Sequence, residues 1–131
     1  MTTITATTVP TTTTTATRVS WRAGLITVVV AAAVTTALAA AFGALGFPLD
    51  VGGEPIPVFA FAQMVLLGGA IGIVLARHVR RTTFVRATVV LTALSCVPSL
   101  ALGTTVGDKL GLVLTHLVAA SIVVPRLAPR D

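Results

Sequence analysis

The chain has 131 residues, of which 55% are hydrophobic and only 10% charged, and its mean hydropathy is +1.01. Soluble domains carry about 25% charged residues, so this chain lacks the charge to cover a water-facing surface. A soluble globular domain, a disordered chain and a disulfide-stapled secreted module are excluded, and an integral membrane protein remains.

Residues 1–17 hold eleven Thr and no charge. This low-complexity stretch reads as a disordered Thr-rich tail outside the fold. Residues 18–127 form the membrane domain, and 128–131 a short cytoplasmic tail. Within the domain all charge falls in five short segments. Between them lie four charge-free windows, Ala23–Leu49, Pro55–Ala76, Ala87–Gly107 and Leu110–Pro125. About 20 apolar residues cross ~30 Å of hydrocarbon as a helix. The apolar runs are continuous rather than alternating, which favours helices over barrel strands. The predicted architecture is a four-transmembrane-helix bundle with spans at 23–47, 58–76, 84–102 and 106–124.

The first span follows Arg18 and Arg22. A basic start and Ala37-Leu38-Ala39 resemble a signal peptide, but the apolar stretch is too long, so an uncleaved span is expected. Ala33, Ala37 and Ala41 make a small-residue stripe. Gly46, Pro48, Gly52, Gly53, Pro55 and Pro57 fill the first loop, with Asp50 and Glu54. Those carboxylates are either solvated or a weak cation site.

In the second span Gly68, Gly72 and Ala76 repeat at four-residue spacing. Such stripes allow close helix approach, within one chain or between chains. Gln63 is a candidate cross-helix hydrogen bonder. The second loop carries Arg77, Arg80, Arg81 and Arg86. The Arg80-Arg81 pair is read as a membrane anchor, not a twin-Arg export signal, because it lies mid-chain.

Ser95, Cys96, Pro98 and Ser99 interrupt the third span. Pro98 frees a carbonyl near Leu94, which Ser95, Ser99 or a neighbouring helix can satisfy. The kink is either structural or part of a cavity wall. A single Cys excludes disulfide and metal-cluster readings. Gly103, Gly107 and Gly111 lead a second glycine stripe into the fourth span. Asp108 and Lys109 are placed at the interface, with the Lys stem snorkelling. His116 lies inside the span. It is either a functional polar site, relaying a proton or binding a ligand, or a neutral His bonded across a helix interface. Pro125 and Pro129 are expected to stop the last helix.

The positive-inside rule orients the bundle. Eight of nine basic residues, including Arg126, fall on one predicted side, against Lys109 on the other. Both termini and the second loop are therefore expected in the cytoplasm of a bacterial plasma membrane. Trp21 and Phe84 lie at the cytoplasmic ends, and Phe47, Phe59 and Phe61 at the outer ends, where aromatic rings settle. The net charge of +5 serves orientation and anionic headgroups, not nucleic acid. No phosphate loop, metalloprotease pattern or catalytic triad is present in the sequence. No cofactor is expected, and the protein is not expected to be an enzyme. The expected partners are the lipid bilayer and a second copy or another membrane protein. The leading role is a structural or accessory component. The alternative is a small transporter or channel subunit using His116 and the Pro98 kink.

Several short elements carry a resemblance. They are Leu49-Asp50-Val51, Arg80-Arg81 with Arg86, Leu94-Ser95 with Pro98-Ser99-Leu100, and Leu114-Thr115-His116-Leu117-Val118 with Ile122-Val123-Val124-Pro125. Together, over Arg18 to Leu127, they resemble a family of small actinobacterial four-span membrane proteins of unknown function. The resemblance implies a fold and a membrane location, and no activity. High Ala, Val, Thr and Arg usage fits a GC-rich bacterial genome.

Overall fold

A computed structural model describes residues 19–129. The Thr-rich segment 1–17, Arg18, Arg130 and Asp131 lie outside the described residues. The order is α1 (Trp21–Ala44), a hairpin of β1 (Asp50–Val51) and β2 (Glu54–Pro55), then α2 (Val58–His78), α3 (Arg81–Leu102) and α4 (Val106–Leu127). All four helices are long and apolar enough to cross a membrane. The architecture is an all-α four-helix bundle.

Local chemistry explains where the helices depart from the predicted spans. α1 begins two residues early because the Ser20 hydroxyl caps it, accepting from the Ala23 amide at 3.2 Å. It ends at Ala44 because Gly46 takes a left-handed φ of 87°. α2 continues through Arg77 and His78, since nothing breaks the helix until extended Val79. Arg80 is also extended, so Val79 and Arg80 alone connect α2 to α3. Arg77, Arg81 and Arg86 thus lie on helices rather than in a loop.

Pro125 does not stop α4, which runs on to Leu127. In the last turn a proline forfeits a single hydrogen bond. The Ala128 amide still donates to Val124 at 2.9 Å, and Leu127 is fully buried beyond the proline. At the other end of α4, Thr105 and Asp108 form a reciprocal capping box. Asp108, held in this box, is only 3% exposed.

Two apolar clusters mark the two ends of the bundle. One gathers Val28, Ile73, Ala76, Phe84 and Leu127. The other gathers Ala39, Leu49 and Leu112, with Phe42, Ile56 and Phe61 against them. Among the described residues, Arg22, Arg77, Arg80, Arg81, Arg86 and Arg126 share the first end. Asp50, Glu54, Asp108 and Lys109 share the second.

The second end is closed by the hairpin. Gly52 and Gly53 have φ of 66° and 87°, the left-handed pair that a two-residue hairpin turn requires. The Gly52 amide donates to Leu102 at 2.9 Å, and the Thr104 amide to Asp50 Oδ1 at 3.3 Å. Asp50 thus ties the hairpin to the α3–α4 connection.

Candidate functional site

The helices do not pack in a closed ring. α1 packs against α2 and α4, and α3 packs mainly against α4. α2 and α3 are consecutive and joined by two residues, yet they touch little. Between them lies a cleft of ≈ 580 Å³. Ile56 and Phe61 line it near the hairpin end, and Leu75 and Phe84 near the arginine end. Its back wall is α4, through Thr115, His116, Ala119 and Ala120, with Thr35 of α1.

Phe84 is 0% exposed. It is a core residue closing one end of the cleft, not the interfacial aromatic its position suggested. Trp21, at the same end, is 49% exposed. The Arg77 guanidinium sits over its ring, 5.0 Å from the centroid, and donates to the Val19 carbonyl at 2.8 Å. Arg77 is thus a tie between α2 and the chain entering α1, besides carrying charge.

The glycines divide by face. A Cβ on Gly69 would collide with Val28 of α1, so Gly69 makes the close α1–α2 approach. Gly68, one position earlier, has nothing within 4 Å of where a Cβ would stand, and a Cβ on Gly72 would meet only Leu127, at 3.5 Å. Within the chain, Gly68 and Gly72 do not bring α2 close to another helix; they widen the cleft they line. Gly107 and Gly111 do receive close neighbours. These come from the first loop: Phe47 stands 3.0 Å from a Cβ on Gly107, and Leu49 would collide with one on Gly111. On α1 the buried series is Gly24, Thr27, Val28, Ala31, Ala32, Thr35 and Ala39. Ala33, Ala37 and Ala41 are exposed instead.

His116 and Ser95 line the cleft; Pro98 and Ser99 do not. Ser95 donates to the Thr92 carbonyl at 2.7 Å, and Ser99 to the Ser95 carbonyl at 3.3 Å. Neither hydroxyl turns to the Leu94 carbonyl freed by Pro98. Gln63 is exposed, without a cross-helix bond among the described residues. His116 does not bond across an interface either. Its Nδ1 lies 2.8 Å from the Leu112 carbonyl of its own helix. A carbonyl only accepts, so Nδ1 carries the proton and Nε2 holds a lone pair in the neutral ring.

The other cleft hydroxyls follow the same local habit. Thr35 donates to Ala31 at 2.7 Å, Thr88 to Phe84 at 2.9 Å, and Thr115 to Leu112 at 2.7 Å. Thr92 is the cleft hydroxyl without a hydrogen-bond partner among the described residues. Thr88, Thr92 and Ser95 form one polar stripe on α3. Their spacing of four and then three is a helical period visible in the sequence, and it is the signal that marks this wall. No lining residue is Lys, Arg, Asp or Glu.

A family model matches residues 15–131. The chain belongs to DUF6069, a family of unknown function. Neither a curated protein nor a solved structure matches it. The family spans all four helices, so the cleft is built entirely from family sequence.

Proposed function

We propose that the protein is a non-enzymatic, structural or accessory component of a bacterial plasma membrane, with both termini in the cytoplasm. The observation that carries this reading is the sorting of charge. Six described arginines stand at one end, while Lys109 stands among three carboxylates at the other. Under the positive-inside rule the arginine end is cytoplasmic. The resemblance to actinobacterial four-span proteins supports the bacterial host. For the role, the support is the absence of charged groups from the cleft lining and the close α1–α2 seam. The expected partner is a second copy or another membrane protein, not nucleic acid.

Reporter fusions at Gly52 and Thr82 test the orientation. Thr82 should report cytoplasmic and Gly52 external, and an external Thr82 overturns the orientation. The role is read in mild detergent. A dimer or larger complex supports it, whereas a monomer that captures nothing in a cross-linked pull-down counts against it.

One observation favours a second reading, a small transporter or channel subunit. His116 and Ser95 share a cleft in the bundle. Flux measured in vesicles separates the two. Loss of a pH-dependent flux in His116→Ala supports transport, and unchanged or absent flux removes it.

A further inference from the structure

The cleft between α2 and α3 has a selective chemistry. Its walls are apolar apart from six polar side chains. Four of the five hydroxyls already donate to carbonyls of their own helices. Their protons are not available to an occupant. His116 Nδ1 is engaged in the same way. What remains open is the Thr92 hydroxyl, which can donate or accept, and His116 Nε2, an acceptor in the neutral ring, on a half-buried side chain lining the cleft. An acceptor in apolar surroundings is satisfied only by a donor, and leaving it unmet is costly.

The lack of any charged lining residue removes phosphate headgroups and ionised amines from consideration, since an unpaired charge there is heavily penalised. The volume of ≈ 580 Å³ falls among small-molecule sites, which run roughly 300–1,000 Å³. A membrane-spanning helix, about 10–12 Å across with its side chains and roughly 30 Å long, far exceeds that volume. The seam lies between two membrane-spanning helices, so an occupant enters sideways from the hydrocarbon.

The geometry points to a binding site for a neutral, largely apolar alcohol or phenol dissolved in the bilayer. Its hydroxyl donates to His116 Nε2, and its apolar body lies against Met64, Gly68 and Leu91. Gly68 leaves the room, because nothing stands within 4 Å of where its Cβ would be.

The test uses the full chain in vesicles of phosphatidylethanolamine and phosphatidylglycerol. The probes are a long-chain alcohol with a photoreactive diazirine in its chain, and its methyl ether. Cross-links are mapped by mass spectrometry. The alcohol should label cleft-wall residues such as Met64 and Leu91. The ether should label them about fivefold less, the ratio for one hydrogen bond of ~1 kcal/mol. His116→Phe should erase the difference between the probes. Gly68→Leu should lower labelling by both, because its side chain fills the cleft. Circular dichroism and size-exclusion profiles establish that each variant is folded. If His116→Phe does not fold, the two probes on the unmodified protein and the Gly68→Leu variant still decide. Equal labelling by alcohol and ether overturns the proposal and leaves a lipid-filled groove. So does labelling that ignores Gly68→Leu. A chain-to-chain adduct formed on irradiation by a photoreactive leucine analogue incorporated at Leu91, with no probe present, overturns it in favour of a second copy.

Discussion

The α1–α2 seam and the α2–α3 seam share a helix and differ in almost everything else. The first joins helices separated by residues 45–57, and it is tight enough that Gly69 has no room for a Cβ against Val28. The second joins helices separated only by Val79 and Arg80, and it holds a cleft of ≈ 580 Å³. A short connection brings two helix ends together without making their lengths pack. In a bilayer, helix association depends on fit and polar contacts, because lipid chains are as apolar as the side chains they would replace. α1 presents small residues and Val28 to Gly69, so the fit is close. α3 presents Thr88, Thr92 and Ser95 toward two glycines that leave space. A seam of that kind stays open and takes a guest.

The largest effect should come from the residue that ends the open seam. Phe84 is fully buried, with Ile73 and Leu127 in the same cluster. Phe84→Ala should cost about 4 kcal/mol, as large-to-small core changes do, read as detergent-induced unfolding followed by circular dichroism. It should also extend the cleft toward the arginine end, raising apolar probe labelling of Leu75. A loss under about 1 kcal/mol would mean that the ring seals nothing.

Next comes the tight seam itself. Gly69→Leu drives a side chain into Val28, and overpacking of this kind costs about 3 kcal/mol. The same unfolding assay checks it, and a neutral result would show that α1 and α2 are not in close contact. Smaller still is Arg77→Ala, which removes the bond to the Val19 carbonyl and the stacking on Trp21. A charge-assisted hydrogen bond and a part-exposed cation–π contact suggest a loss of about 2 kcal/mol. Arg77→Lys, which keeps the charge but not the planar fork, should recover only part of it. Full recovery would make Arg77 an orientation charge alone.

These effects separate what the sequence displayed from what it concealed. The four spans and the gathering of six arginines at one end follow from runs of residue type, and those runs are visible without coordinates. The neighbours of each helix are not. Gly68 and Gly69 are adjacent in sequence, yet on a helix of 3.6 residues per turn they point roughly 100° apart. Of the four-residue series Gly68, Gly72 and Ala76, only Ala76 shares the buried face with Gly69 and Ile73; Gly68 and Gly72 have the right spacing and the wrong face for the α1–α2 contact. In α1 the runs of Ala allow several four-residue series, and only the partner helix selects Gly24, Val28 and Ala32 over Ala33, Ala37 and Ala41. Of the candidate polar site, His116 and Ser95 meet at the cleft because their helices happen to form its walls. Pro98 and Ser99 lie on the same helix as Ser95 but outside the lining. The Thr88–Thr92–Ser95 stripe was readable, but an isolated Thr in a span ordinarily bonds its own backbone, as Thr88 does. The stripe gains meaning only once an empty space is found in front of it.

The smallest predicted effect is also the one that isolates face from composition. Gly68→Ala changes the neighbour of Gly69 by a single methyl, and nothing lies within 4 Å of that methyl. No contact is lost and no side chain must move. Alanine is the better helix former, by about 1 kcal/mol in water; in the bilayer, where the backbone is already obliged to be helical, a smaller gain is expected. The variant should therefore unfold at slightly higher detergent fraction than the unmodified protein, while Gly69→Ala, one residue on, unfolds at a lower one. Opposite signs at adjacent positions follow only if one glycine serves a contact and the other serves a space. A shared loss at both would place a helix, from this chain or a second copy, against Gly68, and the cleft would then be a packing surface rather than a site.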